Sequence, residues 1–92
     1  MSNIDWSQLI TQAMKDAAAA AQLLGAAQAE TARLRAIADY AIAPLQDAVD
    51  IDEASEDDAA LLKAWKKYRV ALNKIPDQVG YPDEIAWPSI PA

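Results

Sequence analysis

Between Ser7 and Ala43 the chain has no proline and one glycine, Gly25; all five prolines stand at position 44 or later. Ala, Gln, Leu, Arg and Glu fill most of that stretch, and these residues lose little conformational freedom in a helix. Gly25 costs about 1 kcal/mol relative to alanine, too little to end the helix. Asp5 suits an N-cap, with Gln8 at the capping-box position, and Ser7 is a rival cap. The pattern predicts a helix of roughly 35 to 45 residues, about 60 Å long. That is too long for one compact domain to cover.

How such a helix is covered decides the architecture. Ile10, Ala13, Ala17, Ala20, Leu24, Ala27, Thr31, Leu34, Ala38, Ala41, Leu45 and Ala48 follow alternating steps of three and four. This is a coiled-coil-like seam made mostly of alanine, which permits close approach but gives little burial per residue. A solvated helix with a weakly held first half is the other reading. Pro44 removes one helix hydrogen bond and crowds the preceding turn, so the helix either kinks there or restarts with Pro44 at its first position. Leu45, Ala48 and Val49 keep one apolar face either way.

The segment "DIDEASEDD" follows as a solvated link. Ser55 is placed to cap a second helix with Asp58 as its box partner, and Glu56, Asp57 and Asp58 suit the positive end of the helix dipole. The regular acidic spacing with a central glycine that a calcium loop requires is missing. The second helix is expected over about Glu56 to Lys74, with Leu61, Trp65, Tyr68, Leu72 and Ile75 on one stripe. The two helices then form an αα-hairpin, the second covering the first around Ile37 to Val49. Trp6, Leu9, Ile10 and Met14 are left without a partner in the chain, so self-association or a partner protein is expected. The remainder, "IPDQVGYPDEIAWPSIPA", holds four prolines and cannot be helical for long. Its large apolar groups favour a tail that folds back over the hairpin or inserts into a partner. The expected class is all-α: residues 1–54 as long helix and acidic link, 55–75 as second helix, 76–92 as an extended, proline-rich tail.

Charge and composition narrow the function. The 92 residues carry a net charge of −6, which argues against nucleic acid and anionic membrane as main partners. With no Cys and no His, disulfides and the usual zinc sites are ruled out, and no cofactor is implied. The start "MSNIDWSQLI" lacks the basic and apolar regions of a secretory signal. No stretch has the run of about 20 apolar residues that a membrane span needs. The carboxylates belong to exposed helix and link, where they make poor acid–base pairs, so an enzyme is not expected. Five of the eight basic residues nevertheless lie in "LLKAWKKYRVALNKI", Leu61 to Ile75.

Three segments in order, "IAPLQDAVDIDEAS", "LLKAWKKYRVALNKI" and "IAWPSIP", resemble the C-terminal region of tail fibre assembly proteins of tailed bacteriophages and related pyocins. The family pattern looks like I-x-PLQDAVDL, an acidic link, L-x-x-WKKYRV-x-L-x-R and a closing I-x-WP-x-x-P. The likeness runs from about Ile42 to Pro91. The larger β-rich N-terminal region and proline-rich join that many relatives carry are absent from this sequence. The resemblance implies a small chaperone of the host bacterial cytoplasm. It would help a receptor-binding fibre fold or trimerise, in some members staying at the fibre tip. Trp65, Lys66, Lys67, Tyr68 and Arg69 match the middle motif, and Trp87 and Pro88 the last. With Tyr81 they form the candidate partner-binding set. Trp65 and Tyr68 also fit the apolar stripe, which leaves the cationic face as the stronger partner contact. The rival reading is a structural or adaptor coiled-coil subunit that works through the alanine seam.

Overall fold

The computed structural model describes residues 6–91; Asp5, the expected cap, lies outside them. Helix α1 runs over Trp6–Asp50 and helix α2 over Glu56–Asn73, followed by one 3-10 turn at Ile75–Asp77. No strand occurs among the described residues, and the fold is the expected all-α hairpin with a tail. The molecule is a rod of 80 × 19 × 17 Å with a radius of gyration of 21.0 Å, against about 12 Å for a compact chain of this length.

Pro44 neither ends α1 nor starts a new helix; it lies inside one continuous element. The reason is which side it occupies. Pro44 is exposed, and Tyr40, whose carbonyl loses its partner, has a side chain 86% exposed. The freed carbonyl therefore lies on the solvent side, where water replaces the missing donor. Ser7, the rival cap, falls within the helix, and its carbonyl accepts from the Thr11 hydroxyl at 2.8 Å.

The link is built from two caps. At the end of α1, Glu53 N–H donates to Ala48 O at 2.8 Å and Asp52 N–H to Val49 O at 3.1 Å. This is the paired bonding of a Schellman motif, and Asp52 takes its left-handed position at φ 58°. Aspartate tolerates that conformation better than most residues. At the start of α2, Asp58 N–H donates to Ser55 Oγ at 3.1 Å, and Ser55 N–H to Asp58 Oδ2 at 3.3 Å. The expected capping box is thus present.

Leu34, Ala38 and Ile42 of α1 pack with Leu62, Trp65, Tyr68 and Leu72 of α2 to form the core, flanked by Ala41, Leu45, Val49 and Leu61. Leu62, rather than Leu61, takes the buried place, and coverage of α1 extends back to Leu34 while Ile37 is exposed. Ala38 has no exposed surface; its small side chain lets α2 approach closely. Trp65 and Tyr68 meet edge to face at 5.7 Å between ring centres, a favoured aromatic geometry. Two polar contacts cross between the helices, Arg69 to Asp39 at 3.1 Å and Arg35 to Asn73. Residues 6–26 of α1 are exposed throughout.

The tail folds back on α1. Gln78 clamps it, its Nε2 donating to Ala86 O at 2.9 Å and its Oε1 accepting from Ala86 N–H at 2.8 Å. Glu84 N–H donates to Gly80 O at 2.7 Å. Pro82, Asp83, Ile85 and Trp87 then border a cleft with Leu23, Ala26 and Ala27, and Ala27 is buried there.

Trp65→Ala should destabilise the hairpin by about 3–5 kcal/mol, a large part of what a domain this small has. Urea unfolding followed by circular dichroism measures it; a loss under about 1 kcal/mol would place the anchor of the core elsewhere. Gly80→Ala tests the tail. A Cβ at Gly80 would sit 2.7 Å from Glu84 O, so the turn must open. Amide exchange should speed up at Glu84 and Ala86 while Leu72 stays protected.

Candidate functional site

The eight sequence-predicted partner residues do not converge. Trp65 and Tyr68 are buried in the core, where their rings hold the hairpin rather than a surface. Lys66 and Lys67 are exposed on the outer side of α2, and Arg69 is half-buried against Asp39. Tyr81 and Pro88 are half-buried and Trp87 is 38% exposed, all in the tail. The tail meets α1 at Leu23 to Ala27, whereas the lysines lie beside Val49. Those α1 positions are about 35 Å apart along the helix.

What the structure does assemble is a groove on the outer side of the hairpin. Val49 of α1 and Ala59, Leu62, Lys63, Lys66, Lys67 and Val70 of α2 enclose about 540 Å³. Helical spacing explains the grouping. Positions 59, 63, 66 and 70 share one face of α2, turned away from the buried stripe at 65, 68 and 72. Leu62 lies between the two faces and belongs to both the core and the groove. The floor is apolar, Val70 is exposed, and the lysine stems extend that apolar surface while their ammonium groups reach water. None of Lys63, Lys66 and Lys67 forms an ion pair among the described residues. Sequence reading singled out Lys66 and Lys67 but missed the groove. The signal was Ala59, Lys63, Lys66 and Val70 at steps of three and four, of which only the cationic face stood out in the sequence.

A second cluster lies by Tyr68. Arg33 donates to Glu30 at 2.6 and 2.9 Å, and this hydrogen bond holds the Glu30 carboxyl below its ordinary range. The Tyr68 hydroxyl is buried without a hydrogen-bond partner among the described residues. Burial pushes the hydroxyl above its ordinary value; the Arg33 charge opposes that shift and the Glu30 charge adds to it. Among the described residues, no three metal-ligating side chains gather, and no helix is long and apolar enough to cross a membrane.

The structure is thus an all-α hairpin clasped by its own tail, with a lysine-lined groove on its outer side. The family model described as "Caudovirales tail fibre assembly protein, lambda gpK" matches residues 3–92, and the chain belongs to that family. The match extends the likeness seen from Ile42 onward through the alanine-rich helix. The chain is 53% identical over 58 residues to "Protein TfaD" of Escherichia coli (strain K12), covering 63% of this chain and 30% of that protein. It is 50% identical over 58 residues to the "Tail fiber assembly protein" of Escherichia phage lambda, covering 63% and 29%. It is 41% identical over 70 residues to a "Probable tail fiber assembly protein" of Acyrthosiphon pisum secondary endosymbiont phage 1, covering 76% and 44%. The chain thus spans less than half the length of these curated relatives. No solved structure matches it.

Tyr68→Phe separates the two roles of that ring. The raised value means the native chain holds the tyrosine proton more tightly than the unfolded chain does. The resulting stability is complete below the unfolded pKa of about 10 and is lost as pH rises through the higher folded value. Unfolding free energy should therefore fall above about pH 10 in the wild type and fall less in Tyr68→Phe. At neutral pH the variant should be equal or more stable by about 1 kcal/mol, because a buried unpaired hydroxyl is removed. Paired urea titrations at pH 7 and pH 11 read both effects; destabilisation at neutral pH would show that the hydroxyl has a partner.

Proposed function

We propose that this chain acts in tail fibre assembly as a non-enzymatic chaperone. It binds a receptor-binding fibre of a phage or pyocin in the host cytoplasm and promotes the fibre's folding and trimerisation. Family membership over residues 3–92 supports the setting, and the names of two relatives refer to tail fibre assembly. The observation that carries the contact surface is the groove. In a chain of net charge −6, Lys63, Lys66 and Lys67 have no ion-pair partner among the described residues and surround an apolar floor. Cations placed beside a hydrophobic depression suit an acidic surface of the fibre, near its C-terminal tip, with an aliphatic or aromatic anchor. Trp87, Pro88 and Tyr81 form a second contact region at the tail, and Arg69, paired with Asp39, adds a further cation on α2. The rival reading, an adaptor subunit working through the helix seam, is favoured by the exposure of residues 6–26.

The two readings differ in which residues matter to the fibre. Charge reversal of Lys63, Lys66 and Lys67 to Glu should change folding stability by less than about 1 kcal/mol, since exposed, unpaired charges contribute little. It should weaken fibre binding through slower association, most at low salt. Co-expression supplies the functional measure: the wild type should bring the fibre into solution as a trimer, and the reversed variant should not. A variant that rescues the fibre as well as the wild type sinks the groove assignment. A fibre that trimerises without any form of the chain sinks the chaperone reading itself.

A further inference from the structure

The first 21 described residues, 6–26, form about six turns of helix with no buried residue. Trp6, Ile10, Met14, Ala17 and Leu24 fall on one side of it at helical spacing, with Trp6 66%, Ile10 58% and Met14 67% exposed. This is the same stripe that, farther along α1, becomes Leu34, Ala38 and Ile42 beneath α2. The stripe is therefore core-type surface that continues past the end of its cover at Ala27. We propose that it pairs antiparallel with the same stripe of a second copy of this chain.

Charge selects a second copy as the occupant. Residues 6–26 carry one base and one acid, Lys15 and Asp16, and are neutral; residues 27–91 carry seven bases against twelve acids. The arm is the long stretch on which two copies of an acidic chain meet without like-charge repulsion. Shape agrees with charge. With Ala17 at the two-fold axis, Ile10 lies over Leu24 of the other copy, Met14 over Ala20 and Ala13 over Ala21. Alanine at the centre lets the helices approach closely, and larger side chains close both ends. The antiparallel direction follows from the hairpins. A parallel pair would set two hairpins, each of net charge −5, side by side; the antiparallel pair holds them at opposite ends of a contact about 30 Å long. A helix pair has a two-fold, self-complementary interface, so it closes at the dimer. The pairing is independent of the fibre-binding reading.

Sedimentation equilibrium on the whole chain tests it, with a mass of twice 9.9 kDa expected and a Kd in the micromolar range, given how little area alanine buries. Ile10→Asp with Leu24→Asp should weaken the dimer more than about a hundredfold, since each dimer would then bury four carboxylates. Amide protection at Leu72 shows that the hairpin survives in that variant. Direction is read by cross-linking, because the chain has no cysteine of its own. Ile10→Cys and Leu24→Cys should form a disulfide with each other when mixed and little with themselves. A monomeric wild type, a dimer unaffected by the two aspartates, or self-cross-linking of each cysteine variant in place of the mixed product would overturn the proposal.

Discussion

The structure turns on a mismatch of lengths. An α1 of 45 residues is about 68 Å long, and an α2 of 18 residues about 27 Å. Whatever the sequence of α2, it can cover only part of its partner. Its position is fixed by the short capped link, which starts α2 immediately after α1 ends and so lays it along the C-terminal part of the long helix. The tail adds a little more cover, reaching Leu23 to Ala27. Residues 6–22 of the hairpin chain are left exposed. The rod shape, the small core and the exposed arm all come from this one arithmetic fact.

Charge in the hairpin follows helix polarity more than pairing. Three acids stand in the first turn of α2, where the dipole favours them, while Lys63, Lys66 and Lys67 lie one to three turns further on and outside their reach. Among the described residues the ion pairs are Arg33 with Glu30 and Arg69 with Asp39, both solvent-exposed, where water screens the attraction. Cohesion therefore comes from the apolar cluster, and Ala38 sets its geometry. Lys63, Lys66 and Lys67 enter no ion pair among the described residues and stand beside the apolar Val49 and Val70.

Most of the fold was legible because it rests on local rules. The absence of breakers before Pro44 predicted α1, Ser55 and Asp58 predicted the start of α2, and the stripe of Trp65, Tyr68 and Leu72 predicted its buried face. Continuity through Pro44 was left open in the sequence because it depends on which side of the helix faces water, a tertiary fact. The Schellman end at Asp52 was missed because aspartate is a weaker signal there than glycine. The site was less legible. Groove residues come from two helices, and Val49 joins Ala59 and Val70 only once the hairpin closes. Gln78 clamps Ala86 through its side chain, and nothing in its sequence neighbourhood marks it. Trp65 and Tyr68 matched a family motif, yet that motif position holds the core together.

Core and groove are not separate structures, and Leu62 is the reason. It packs against the cluster of Trp65 and Leu72 on one side and lines the groove on the other. Val49 likewise packs on the cluster and borders the groove. An apolar side chain placed in the groove would extend the core by one more element, removing water from Leu62, Val49 and Val70 together. The groove exists only when α1 and α2 are paired, so any such occupant binds the folded hairpin and not the unfolded chain. It must then stabilise the hairpin by mass action, in proportion to its concentration over its Kd. A cluster of seven buried side chains is small enough for that increment to matter. An occupant of the groove would therefore draw on Leu62 and Val49, the same two residues that tie the groove to the fold.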